Sequence, residues 1–145
     1  PSFIGQFQSE LPLKVSSIDN SSPLEPFHVY FCPMNCVLHK NHFTVCVEPR
    51  PELQTPYNPN VDTLFLSAVP FVKEAEILAV LLTGIGNDGA QGLSELQKAG
   101  ARCLAESEKS AIVYGMPKRA VEINPFITSM HLDDIITTIK TFGEV

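Results

Sequence analysis

The chain has 145 residues, 44% of them apolar, and a formal charge of −6 from 16 acidic against 10 basic side chains. That size and apolar share fit one folded domain with a real core, and with lysine and arginine thinly spread there is no basic stripe for phosphate backbones, so nucleic acid is not an expected partner. No stretch approaches the roughly 20 apolar residues of a membrane span, and residues 1–10 lack the basic start and apolar run of a secretory signal, so the expectation is a cytoplasmic protein without membrane insertion.

In chain order, Phe3, Ile4, Phe7 and Leu11 stand at helical spacing behind Ser2, which predicts a short amphipathic helix over residues 2–11, stopped by Pro12. An edge-like strand around residues 13–17, a polar turn over 19–26 and a short strand over 29–32 come next. Residues 36–47 read as a hairpin turning at Lys40 and Asn41. Side chains alternate faces along a strand, so Cys36, Leu38, Phe43 and Val45 share one face while His39, His42 and Cys46 take the other. That division argues against zinc, although Cys32, Cys36, His39, His42 and Cys46 are the right ligand types at short separations. No metal and no cofactor is expected, and the four cysteines read as free thiols, since nothing in their spacing forms a disulfide framework. Residues 48–59 carry four prolines and must be a loop, long enough to suggest function or mobility.

Asn60 can cap a helix whose face is Val61, Leu64, Phe65, Ala68 and Val72, with Asp62 near the positive end of its dipole and Pro70 ending or bending it. The stretch ILAVLLTGIGNDG, residues 77–89, organises the rest of the chain. Residues 77–83 form an unbroken branched apolar run, as in a parallel strand covered on both faces. Gly84, Gly86 and Gly89 then make a turn, and Ala90, Leu93, Leu96 and Ala99 space a helix closed by Gly100. A second buried strand spans residues 101–105. Residues 110–115 are a turn or short helix, and Pro117 opens a helix to about Ile123. Asp133 or Asp134 starts the last helix, with Ile135, Ile136, Ile139 and Phe142 facing the core. Strands alternating with helices predict an α/β domain: a doubly wound, mostly parallel sheet flanked by helices, with the antiparallel hairpin as an appendage.

Asp88, inside the glycine turn at a strand's carboxyl end, admits three readings. Gly84, Gly86 and Gly89 spell a dinucleotide fingerprint, with Glu106 lying 22 residues beyond Gly84, but Asp88 would place an anion where the pyrophosphate must sit. Asp88 can instead simply cap the following helix, adding about 1 kcal/mol. Or it orients the histidine of a Ser-His-Asp hydrolase, in a turn that also brings backbone donors to one point.

The wording of the chain adds to its spacing. LLTGIGNDGAQGLSELQKAGARCLAESEKSAIVYGMPKRAVE, residues 81–122, closely resembles the catalytic domain of the CheB chemotaxis methylesterases, whose pattern there is LTGMGxDGxxGL…AGGxxxAQxExSxVxxGMPxxA. PYNPNVDTLFLSA over residues 56–68 is similar to the family's RPSVDxLFxSA, and HVYFCP over 28–33 to its HxYxAP. The resemblance implies a protein-glutamate methylesterase, hydrolysing glutamyl methyl esters on methylated chemoreceptors and often deamidating receptor glutamines. It implies that Asp88 is the triad aspartate, with the N–H groups of Ile85 and Gly86 as oxyanion donors. The GMP signature carries Gly115 and Met116, read as packing first and substrate contact second. The family's GxSxGG serine turn and HMP histidine segment have no counterpart here. Ser2, Ser107 and Ser110 lack that serine context, and His28, His39, His42 and His131 match no triad position. Pro1, Ser2 and Phe3 resemble the residues just after HMP. The expectation is therefore one N-terminally truncated catalytic domain over residues 1–145, lacking about 30–40 residues or one βαβ unit and any receiver domain. Alone it would be inactive and prone to self-association through uncovered apolar surface. The alternative is a non-catalytic fragment or degenerate member that docks on receptors, and behind it a dinucleotide-binding domain.

Overall fold

The computed structural model describes residues 13–143, so the helix expected over residues 2–11 lies outside the described residues. The chain divides into two compact units, Pro1–Asn60 and Val61–Val145.

In the first unit β1 (Lys14–Ser17) and β3 (His28–Phe31) pair in parallel, Val15 opposite Val29. β2 (Ser22–Pro23), β5 (Thr44–Pro49) and β4 (Cys36–Asn41) form an antiparallel sheet in that order. Its core is Ile18, Cys36 and Val47, with Tyr30, Cys32 and Leu38 packed on them. The β4–β5 register pairs Asn41 with Thr44, so His42 and Phe43 form the turn, two residues later than the polarity of Lys40 and Asn41 suggests. His42 takes a positive φ of 60°, which histidine tolerates better than most residues and which two-residue hairpin loops require. Cys36, Leu38 and Val45 do share one face, and His39 and Cys46 the other, while Phe43 leaves its strand and stands fully exposed.

The proline-rich loop is pinned rather than loose. Asn35, buried completely, donates from its side-chain nitrogen to the Thr55 hydroxyl at 2.9 Å and the Leu53 carbonyl at 3.4 Å. Its side-chain oxygen accepts from Asn60 N at 2.7 Å, and its backbone N–H donates to Asn58 Oδ1 at 3.1 Å. One buried amide thus satisfies a loop whose prolines leave few backbone donors.

The second unit alternates helix and strand: α1 (Val61–Ala68), a single 3₁₀ turn (Val69–Phe71), β6 (Leu78–Leu81), α2 (Ala90–Ala99), β7 (Arg102–Glu106), α3 (Met116–Ile123), β8 (Thr128–Met130) and α4 (Leu132–Thr141). The strands run parallel in the order β6-β7-β8, Val80 opposite Leu104 and Ala105 opposite Ser129. Pro70 ends the α-helical part of α1 as its missing donor requires. α2 has its expected bounds, and Gly100, at φ 109°, closes it in the left-handed conformation. β7, with Cys103, Leu104, Ala105 and Glu106 all buried, is the strand covered on both faces. β6 is shorter than the 77–83 run and buries alternate residues, Ala79 and Leu81, with Leu82 already exposed. β8 has no apolar alternation to announce it, being Thr-Ser-Met.

α4 corrects a further expectation. Of its apolar residues Ile135 is wholly buried, whereas Ile136 and Ile139 are 42% and 52% exposed: Ile136 is turned about 100° away from Ile135, and Ile139, one turn further along the same face, is left half uncovered by the described residues. Its start is capped by His131, whose Nδ1 accepts from Asp133 N at 3.1 Å.

Candidate active site

Beyond Leu81 the chain leaves β6 and crosses the carboxyl end of the parallel sheet, where α/β folds place their chemistry. Gly86 and Gly89 adopt φ of 91° and 88°, and a Cβ on Gly89 would lie 2.7 Å from Leu81 Cδ1. Glycine is required there both by conformation and by space.

Asp88 is buried, 6% exposed. It does not cap α2, the helix it precedes. One carboxylate oxygen accepts from Val61 N at 2.7 Å and the other from Asp62 N at 3.0 Å, so it caps α1, whose first amides carry the positive end of that helix dipole. Asp62 returns the arrangement: its Oδ1 accepts from Gly92 N at 2.7 Å, in the first turn of α2. The two helix starts are capped by each other's aspartate. Each oxygen of Asp88 keeps a further lone pair, which leaves room for a third donor.

The amides of residues 85–89 donate no hydrogen bond among the described residues. Ile85 is 80% exposed, so its N–H and that of Gly86 lie in an accessible segment. Facing them is the 113–116 loop. Gly84 N donates to Val113 O at 3.0 Å, and Gly84 O accepts from Gly115 N at 3.1 Å and Met116 N at 2.8 Å. A Cβ on Gly115 would stand 2.6 Å from Gly84 O and 3.1 Å from Gly86 N, so the loops meet backbone to backbone. Gly115 is the residue before α3, and Pro117 stands just inside it. Ile85, Gly86, Gly115 and Met116 are therefore brought to one place, with Asp88 in the same turn.

Glu106 holds these loops from below. It is 2% exposed; one oxygen accepts from Thr83 N and the other from the Ser110 hydroxyl, each at 2.8 Å, while Ser110 Oγ accepts from Leu132 N at 3.0 Å. The acid that would face a ribose in a dinucleotide site is turned inward and occupied, which with Asp88 at the turn removes the basis for that reading. Neither this role nor that of Asp62 is legible in sequence. Asp62 shows only as an acid in a first helical turn, Glu106 only as an acid 22 residues beyond Gly84, and Ser110 only as a serine in a turn.

Among the described residues, the serines and histidines elsewhere do not assemble a second site. His28 Nε2 lies 2.7 Å from Ser16 Oγ, but Nδ1 is 3.8 Å from Glu25, buried without a hydrogen-bond partner among the described residues, and the ring stacks on Tyr30 at 4.0 Å. Without an orienting bond on Nδ1 the histidine lacks the third member that fixes its tautomer. His39 meets Ser21 at 3.3 Å and Glu48 at 3.9 Å through the same Nε2, which cannot relay a proton between them. Ser107 Oγ is buried. Burial pushes the Cys32 thiol up to about 12, helped by its neighbour Cys36, and Cys103 up to about 11, so neither is a thiolate nucleophile at neutral pH.

A family model described as CheB methylesterase matches residues 1–139. Protein-glutamate methylesterase/protein-glutamine glutaminase 1 of Hahella chejuensis is 34% identical over 142 residues, 96% of this chain and 39% of that protein. The namesake of Photorhabdus laumondii is 34% identical over 131 residues, 85% of this chain and 37% of its own. Over 66 residues, 46% of the chain and 19% of the relative, identity with protein-glutamate methylesterase/protein-glutamine glutaminase 2 of Albidiferax ferrireducens reaches 54%. The chain thus spans at most about two fifths of these relatives, 39% for the Hahella protein. The crystal structure of the Thermotoga maritima CheB methylesterase catalytic domain matches with a TM-score of 0.84 at 23% identity, over 95% of this chain and 74% of that one. At that identity the likeness shows the fold, the α/β architecture expected from the sequence.

Proposed function

Because this chain belongs to the CheB methylesterase family, we propose that it forms the acid-bearing part of a protein-glutamate methylesterase, its two units together belonging to one catalytic domain. The carrying observation is Asp88: a buried carboxylate at the carboxyl end of β6, held at both oxygens by α1 amides, beside a row of backbone N–H groups that donate to nothing among the described residues. The substrates are glutamyl methyl esters of chemoreceptors, and the relatives' names add glutamine deamidation. In the proposed reaction a serine hydroxyl adds to the ester carbonyl while a histidine takes its proton; the same histidine then protonates departing methanol, and water hydrolyses the acyl-enzyme. Asp88 accepts the histidine's other N–H and stabilises the imidazolium, and the Ile85 and Gly86 amides receive the oxyanion. Among the described residues no histidine bonds to Asp88, so we assign nucleophile and base to residues outside them.

Methanol release from methylated receptor membranes by the full-length protein tests this reading. Asp88→Asn keeps an acceptor for one α1 amide but cannot hold the histidine tautomer, and a fall in kcat of roughly three to four orders of magnitude is expected. Unchanged turnover would end the triad assignment and leave the docking reading.

A further inference from the structure

We propose that Asp62 is the positioning residue of this site, setting the direction of the Asp88 carboxylate by locking the two helix starts together; the proposal rests on the reading of Asp88 as triad acid. A carboxylate bonded at both oxygens cannot turn about its Cβ–Cγ bond, so the direction of its remaining lone pairs follows the amides of Val61 and Asp62 that hold it. Those amides are only as fixed as the start of α1. α1 is eight residues long and runs into a 3₁₀ turn at Pro70, too short to hold its own axis without tertiary contacts. A short polar contact ties its first turn to the neighbouring helix: Asp62 Oδ1 accepts from Gly92 N at 2.7 Å.

Gly92 makes the approach possible. A Cβ there would lie 2.6 Å from Phe65 Cβ and 3.1 Å from Asp62 Oδ1. The result is a closed circuit: Asp88 to the α1 amides, the Asp62 side chain to the α2 amide, and the short covalent link from Gly92 back to Asp88. Every step is either a charge-assisted hydrogen bond or a covalent connection. Removing the Asp62 side chain opens the circuit opposite Asp88, leaving the carboxylate bonded to a helix start that can shift. A displacement of about 1 Å in an oriented catalytic group lowers turnover on the order of a hundredfold without weakening substrate binding.

The test compares Asp62→Ala, Asp62→Asn and His131→Ala in the full-length protein, with Asp88→Asn alongside. His131→Ala removes the α4 cap, so it and Asp62→Ala each delete one side-chain cap and should lower Tm alike. Asp62→Ala is expected to lose about ten- to a hundredfold in kcat at unchanged KM, Asp62→Asn, which still offers Gly92 an oxygen, to stay within about threefold of wild type, and His131→Ala to keep full turnover. The amide proton shift of Val61 supplies a readout independent of turnover: it should move upfield in Asp62→Ala as its bond to Asp88 loosens. Wild-type kcat in Asp62→Ala, equal losses in Asp62→Ala and His131→Ala, or an unmoved Val61 amide shift would each overturn the proposal while leaving the triad reading intact. Full turnover in Asp88→Asn would overturn both.

Discussion

Asp88 can be read from sequence as a cap, and it is one, but on a different helix from the one it precedes. A carboxylate just before a helix normally serves that helix's own amides; here α1 sits closer to its oxygens, and α2 takes its acceptor from Asp62 instead. Glu106 carries the same lesson. Its two oxygens tie Thr83 and Ser110, hence two of the loops at the sheet's carboxyl end. Glu106→Ala leaves an amide and a hydroxyl without their acceptor, at about 1–3 kcal/mol for each that stays buried. Glu106→Gln can still accept from Thr83 and donate to Ser110, and should cost less than about 1 kcal/mol. Urea unfolding of both variants, read as a change in midpoint, checks this, and equal losses would contradict the bonding described.

Among the elements, α2 is the most legible, because its apolar spacing, glycine stop and strand-end origin all agree on residues 90–99. β8 is not legible: three residues, Thr-Ser-Met, are strand only because β7 offers them a parallel edge. The packing of α1 on α2 depends on Gly92, which in sequence is merely a weak helix residue. Gly92→Ala should destabilise the protein by about 1–3 kcal/mol through overpacking against Phe65, despite alanine's better helix propensity. A stabilising Gly92→Ala in thermal unfolding would show that the two helices are not in contact there. His131, a cap on α4, should cost about 0.5–2 kcal/mol when replaced by alanine.

For the whole molecule, the buried thiols predict a loss of stability in alkali. Burial raises Cys32 from 9.0 to about 12, with Cys36 adding to the effect, and Cys103 from 9.0 to about 11. Between those values the unfolded chain has released thiol protons that the folded chain retains, so stability is complete below pH 9 and falls as pH rises from about 9 to about 11 for Cys103 and to about 12 for Cys32. Urea midpoints across that range should decline, and Cys103→Ala should flatten the decline; a midpoint independent of pH above 9 would contradict the burial. The two units also show how differently a sequence announces its loops. The proline-rich segment suggests mobility, yet Asn35 and its partners hold it down, because a buried side-chain amide can replace the backbone donors that prolines lack.

Read along the chain alone, the residues establish the α/β class, the family, the glycine turn after β6 and Asp88 as the residue to watch, since these rest on local periodicity, backbone freedom and wording. Packing in three dimensions settles which amides Asp88 and Asp62 hold, that Glu106 faces inward, and that Ile136 and Ile139 stay about half exposed. Hydrogen bonds between residues about thirty positions apart, such as Gly92 to Asp62, depend on where packed elements bring their ends, and no spacing rule along the chain contains that.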